Sequence, residues 1–181
     1  MGKSILITGA IRGIGAALTE YYSGMGWQVF AACRSPEKAG AIADMPGVEL
    51  LRLDVENERS ISSLSRQFSD RPIDVLINNA GVLGGDYVAQ IFGGTDTEAW
   101  LQAFRVNTIA PLRMVEALIN SLEKGYAKKV INISSIVASL EAPLFGGMYH
   151  YRTTKAGLNS ITVGLATDLA GIGISVASIH P

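Results

Sequence analysis

One cysteine, Cys33, is all the thiol the 181-residue chain contains, so no internal disulfide can form and a reducing compartment, the cytoplasm, is the default setting. Charged residues make up only 17% and the net charge is -1, which leaves no basic field for nucleic acid or an anionic membrane surface. No apolar run approaches the ~20 residues that span a bilayer. The opening run Ser4-Ile5-Leu6-Ile7 is too short for a signal-peptide core. Met1-Gly2 could begin an acylation motif, but position six is Leu6 rather than Ser or Thr. With only two histidines, no cluster has metal-ligand spacing. There is no repeat at a solenoid period, no low-complexity tract and no charged tail. The nearest thing to a linker is the loop Gly81 to Gly94.

What is abundant is apolar residues, 48%, and glycine, 20 residues. That length and balance suit one domain, residues 1–181, with a parallel sheet covered on both faces. Short apolar runs at 4–8, 28–32, 48–53, 73–78, 129–134 and 174–179 predict six strands. Helical patterns over 13–22, 60–68, 97–122 and 149–169 separate them, with Pro111 predicting a local adjustment in the third. Six such runs with intervening helices predict a doubly wound parallel α/β sheet with right-handed crossovers. Cys33 follows Val29-Phe30-Ala31-Ala32 and reads as packing. Asp96 and Glu98 read as helix N-terminal carboxylates, and Trp27 and Trp100 as core or interface.

Between the first strand and first helix lies Thr8-Gly9-Ala10-Ile11-Arg12-Gly13-Ile14-Gly15. Glycines there permit a tight turn and let backbone N–H groups approach a phosphate, while the helix N-terminus adds partial positive charge. That context predicts a dinucleotide site. After the second strand comes Cys33-Arg34-Ser35, with no carboxylate before Glu37. A carboxylate there would accept from a ribose 2′-OH, whereas arginine accommodates a 2′-phosphate. Arg34, with Arg12 beside it, therefore favours NADP(H) over NAD(H). Asp54 ends the third strand and could accept from the adenine amino group or cap the next helix.

Tyr151 and Lys155 stand four apart on a predicted helix and share a face. A nearby ammonium favours the phenolate. Bringing a phenol from about 10 to about 7 takes roughly 4 kcal/mol, so the lysine needs help from a bound cation or a dry pocket. The product would be a general acid/base for an alcohol oxygen. His150 could serve as a base but stands at a helix start, Tyr149 reads as wall, and His180 as packing.

Taken in order, Thr8-Gly9-x-x-x-Gly13-x-Gly15, Asn78-Asn79-Ala80-Gly81, Asn107, Ser134-Ser135 and Tyr151-x-x-x-Lys155 resemble the short-chain dehydrogenase/reductase family over essentially the whole chain. Cys33-Arg34 and Gly146-Gly147-Met148-Tyr149-x-Tyr151-Arg152 resemble its small NADPH-linked carbonyl reductases and C-factor-like proteins. The resemblance implies a Rossmann-type sheet of order 3-2-1-4-5-6 and an oxidoreductase moving hydride between NADP(H) and a carbonyl or alcohol. Tyr151 would carry the proton, Ser135 would polarise the substrate oxygen, and Lys155 would hold the ribose hydroxyls and favour the phenolate. Asn107 would hold a relay water. The cofactor would lie against Gly9, Arg12, Gly13, Ile14, Gly15, Arg34, Asp54, Val55, Asn79, Ala80, Gly81, Tyr151, Lys155 and Pro181. Homodimers or homotetramers would form through the third and fourth helical segments. The alternative is a nucleotide-binding regulatory protein of the same fold with little turnover. A sugar-nucleotide epimerase is disfavoured by Arg12 in the turn.

Two departures stand out. Much of the family places its serine thirteen residues before the tyrosine, where this chain has Ala138; Ser135 lies sixteen before, so an insertion is expected within Val137 to Gly147. Strand alternation separates Ser134 from Ser135, with Ser135 preferred. The sequence also ends at Pro181, where the family continues into a substrate loop and a seventh strand, so both are expected to be missing.

Overall fold

The computed structural model describes residues 3–141 and 145–181; Met1, Gly2 and residues 142–144, the last within the segment expected to carry an insertion, lie outside the described residues. Six strands form one sheet in the order β3-β2-β1-β4-β5-β6, every pairing parallel. They are β1 (Ser4–Thr8), β2 (Gln28–Cys33), β3 (Val48–Arg52), β4 (Val75–Asn78), β5 (Lys129–Ile133) and β6 (Ser175–Ile179). The principal helices are α1 (Gly13–Gly24), α2 (Glu58–Gln67), α3 (Thr97–Phe104), α4 (Ala110–Lys124) and α5 (Tyr149–Asp168).

Alternation along each strand sends neighbours to opposite faces, and the core divides accordingly. Leu6, Phe30, Leu76 and Val130 pack with Leu64 of α2, Met114, Leu118 and Leu122 of α4, and Leu165 of α5. Ile5, Ile7, Val29, Ala31 and Ile77 pack on the other face with Leu18 and Tyr22 of α1. Each fully buried leucine contributes about 1.5–3 kcal/mol.

The third helical segment is not continuous. A π turn, Arg105–Ile109, separates α3 from α4, and Pro111 stands in the first turn of α4. Proline has no N–H to give, so the carbonyl of Asn107, four residues earlier, lacks its α-helical donor. The expected adjustment at Pro111 therefore takes the form of one wide turn just ahead of it.

Asp74, at the start of β4, is a buried carboxylate that ties three chain segments together. It accepts from the Ser4 N–H (2.8 Å) and from the N–H groups of Tyr126 (2.6 Å) and Ala127 (3.1 Å). Burial raises its pKa, but these bonds outweigh that and hold it below the usual value.

Candidate active site

In a sheet of this order the chain reverses between β1 and β4, and the crevice at their carboxyl ends is where such folds bind ligands. A cleft of about 570 Å³ opens there. Its floor is the glycine turn. Gly9 and Gly13 sit at φ +67° and +52°, conformations that disfavour a side chain. Gly15 lies behind them, where a Cβ would overlap the Gly9 carbonyl and come within 2.6 Å of Asn79 Nδ2. The N-terminus of α1 carries no side-chain cap and no acidic residue in its first turn, so its free N–H groups face an incoming anion uncontested.

The turn is latched to β4. Thr8 Oγ1 accepts from the N–H groups of Asn79 and Ala80, both at 3.0 Å. Asn79 Nδ2 donates to the carbonyls of Thr8 (2.9 Å) and Gly9 (3.2 Å). Asn78 faces inward, donating to Asn132 at 2.9 Å, which donates to Thr162 of α5 at 2.9 Å. The Asn78-Asn79 pair thus steadies the turn on one side and the sheet on the other.

Of the expected cofactor residues, Gly9, Arg12, Gly13, Ile14, Arg34, Asp54, Val55, Asn79, Ala80 and Gly81 line the cleft. Pro181 is exposed at the end of the chain and is not among its lining residues. Asp54 does not cap α2; Asn57 does, accepting from Arg59 N at 2.9 Å, while Asp54 accepts from Glu56 N at 3.1 Å and turns to the cleft. Glu37, the first carboxylate after β2, pairs with Arg52 at 3.0 Å and stays out of the cleft, whereas Lys38 and Ser35 line it beside Arg34. Sequence reasoning stopped at Arg34 and missed Lys38, whose only signal was a basic residue one turn further on. Cys33 also lines the cleft but is buried, and that burial raises its thiol's pKa, consistent with packing.

Beyond Gly81 lie the four residues expected to act. Tyr151 and Lys155 share a face of α5, with Nζ 5.7 Å from the phenol ring centre. Ser135, extended at the end of β5, neighbours the Tyr151 side chain; Ser134 turns away and donates to Asn159 at 2.7 Å. Burial raises the pKa of the Tyr151 phenol, more than the Ser135 hydroxyl lowers it. Lys155 is buried, donates to the Ile133 carbonyl at 2.7 Å, and burial brings its pKa from 10.5 down to about 8. In the protein alone the expected lowering of the phenol by the ammonium is therefore not met: desolvation acts against both charged forms. A Cβ on Gly81 would lie 3.6 Å from Lys155 Nζ, so the lysine adjoins the inner end of the cleft.

Asn107 is fully buried in the π turn. Its amide accepts from Val82 N (2.9 Å) and donates to Val82 O (2.7 Å) and Thr154 Oγ1 (3.0 Å). Thr154 donates in turn to the Tyr151 carbonyl at 2.8 Å. The side chain therefore anchors the Gly81–Gly94 loop to α5. His150 is also fully buried: Nδ1–H donates to Gly84 O at 2.6 Å, the ring stacks on Trp100, and it takes no place beside Tyr151. Asp96 caps α3, as its position implied. Among the described residues no group of His, Cys, Asp or Glu could hold a metal ion, and no helix is long and apolar enough to cross a membrane.

Known proteins share this fold. The carbonyl reductase Sniffer of D. melanogaster superposes with a TM-score of 0.89 at 30% identity, over 100% of this chain and 81% of that one. An NADPH-bound carbonyl reductase from chicken fatty liver gives 0.87 at 28%, over 99% and 79%. The C-signal protein of Myxococcus xanthus is 37% identical over 110 residues, 61% of this chain and 64% of its own length. The sequence profile of the short chain dehydrogenases matches residues 3–181, and with the glycine turn, the sheet order and the Tyr–Lys helix in place, the chain belongs to that family.

Proposed function

We propose that the protein is an NADP(H)-linked carbonyl reductase or alcohol dehydrogenase acting on a small carbonyl or alcohol. The observation that carries the reading is the meeting of Tyr151, Ser135 and Lys155 at the inner end of a cleft whose floor is a glycine turn. The residues fit the dinucleotide: an uncapped helix N-terminus for the pyrophosphate, and Arg12, Arg34 and Lys38 around the place of a 2′-phosphate. Glu37, the first carboxylate after β2, pairs with Arg52 at 3.0 Å rather than facing the place of the ribose.

When bound, the cofactor supplies or accepts the hydride. Ser135 and Tyr151 hold the substrate oxygen between two hydroxyls, so the carbonyl is polarised toward the phenol. In reduction Tyr151 gives its phenolic proton to that oxygen; in oxidation it takes one back. A phenol raised by burial is a poor base but a competent donor, which suits the reducing direction. Lys155 neighbours the phenol and titrates near neutrality, so it can return the proton after each turnover. The Asn107 carbonyl, whose α-helical donor Pro111 removes, is the place for a water linking Lys155 onward.

Subunit pairing through α4 and α5, on which Val163 stands exposed, belongs to the same proposal. The test is Tyr151→Phe, with NADPH oxidation followed against a panel of aldehydes and ketones. Turnover should vanish while NADPH binding stays within a fewfold of wild type. Undiminished turnover would sink the assignment, and NADPH binding without turnover in the wild type would favour the regulatory reading.

A further inference from the structure

We propose that Gln90 is a positioning residue for Tyr151, fixing the phenol from the loop that borders the substrate side; the functional part of the claim rests on the reading of Tyr151 as proton donor. α5 has no cap of its own. Met148 occupies its N-cap position at φ 52°, ψ 34°, and no side chain there accepts a hydrogen bond. The helix begins at Tyr149, so Tyr151 is its third residue, and the third N–H is one that an N-cap side chain ordinarily satisfies. Here the acceptor comes from 61 residues away: Gln90 Oε1 takes the Tyr151 N–H at 3.1 Å. The other end of the same amide donates to Gly85 O at 3.2 Å. Both partners are backbone groups of fixed polarity, so they determine which way the amide faces.

Its setting is unusual for a loop glutamine. Gln90 is 2% exposed, while Tyr87, Val88 and Phe92 around it are 60%, 69% and 92% exposed. The loop is also fastened to the preceding residue of α5, through His150 and Gly84. A Cβ on Gly147 would lie 3.4 Å from both Tyr87 Oη and Ile91 Cγ2, so the loop packs against the approach to the helix as well. A ligand seated on the apolar outer residues of this loop thus bears, through one buried amide, on the backbone of the residue that carries the proton.

The experiment compares Gln90→Met, which keeps length and volume but removes the acceptor, with Gln90→Glu, which keeps an acceptor oxygen. Three quantities are read: kcat with a carbonyl substrate, the NADPH dissociation constant, and exchange of the Tyr151 amide by NMR. In Gln90→Met the Tyr151 amide should exchange at least tenfold faster and kcat should fall about tenfold, with the NADPH constant within twofold of wild type. Gln90→Glu should return exchange and kcat to within about threefold. A packing role alone predicts the reverse order, since methionine fills the buried site and glutamate does not. Unchanged Tyr151 exchange in Gln90→Met, unchanged kcat, or no advantage of glutamate over methionine overturns the inference. Wild-type protein that binds NADPH without turnover defeats the reductase reading instead, and the exchange measurement still decides the cap: unchanged exchange overturns it, accelerated exchange upholds it.

Discussion

Lys155 is an ammonium placed where water cannot reach it, and the cost should be measurable without any substrate. It is 4% exposed, and burial alone brings its pKa from 10.5 down to about 8. In the unfolded chain the side chain is solvated and titrates near its ordinary value. Between these two values the unfolded state binds more protons than the folded one, so stability rises with pH at up to ~1.4 kcal/mol per pH unit. Below pH 8 both states carry the proton and the penalty is fully present; above about 10.5 both have lost it and the penalty is gone. Lys155→Met removes the titrating group while keeping most of the stem. The difference in unfolding free energy, wild type minus variant, should therefore rise by about 2–3 kcal/mol between pH 7 and pH 10. For a domain of this size that is about 5 to 10 °C in relative melting midpoint. Urea titrations at pH 7, 8, 9 and 10 on both proteins give the difference directly, and other titrating groups common to both largely drop out. A difference constant within 1 kcal/mol across that range would show that water reaches Nζ, and the account of Lys155 as a near-neutral proton carrier would fall with it.

Asp74 should behave with the opposite sense. Its folded pKa is depressed, so its contribution is present above about pH 4 and fades as pH falls through the lower folded value; Asp74→Asn should cost about 2–4 kcal/mol at pH 7, with the gap to wild type narrowing in urea titrations at pH 3. Gly15→Ala should lower NADPH affinity by tenfold or more in fluorescence titration, because the new methyl group overlaps the Gly9 carbonyl. Arg34→Ala should weaken NADPH binding by about tenfold or more and leave NADH within a fewfold; equal losses for both would remove Arg34 from the 2′-phosphate.

The strands were legible because a parallel sheet buried on both faces leaves continuous apolar runs, and the six runs fall within two residues of the observed strands. The glycine turn and the Tyr–Lys pair were legible because each is a local pattern whose meaning lies in its own spacing. Ser135 was separable from Ser134 because neighbours on a strand face opposite sides, and only one of them meets Tyr151. What escaped depends on distant partners. Gln90 has nothing in its neighbourhood to announce that it caps a helix sixty-one residues on. Of the two roles open to Asp54, capping falls to Asn57, three residues later at the helix start, and Asp54 lines the cleft. Pro111 marked a disturbance, but five residues are too few for periodicity to distinguish a wide turn from a kink.

That wide turn has a consequence for how the chain tolerates change in length. A π turn holds one residue more than the α-helix around it, so Arg105–Ile109 acts as a spacer between two otherwise coaxial pieces. Removing one residue there would turn α3 by about 100° about its axis relative to α4. Trp100 would swing away from Thr153, a bond of 2.8 Å, and Ala103 from beneath Gly84. Substitutions within the turn could be absorbed one side chain at a time. A single deletion could not, because it would rephase every contact between α3 and α5 at once.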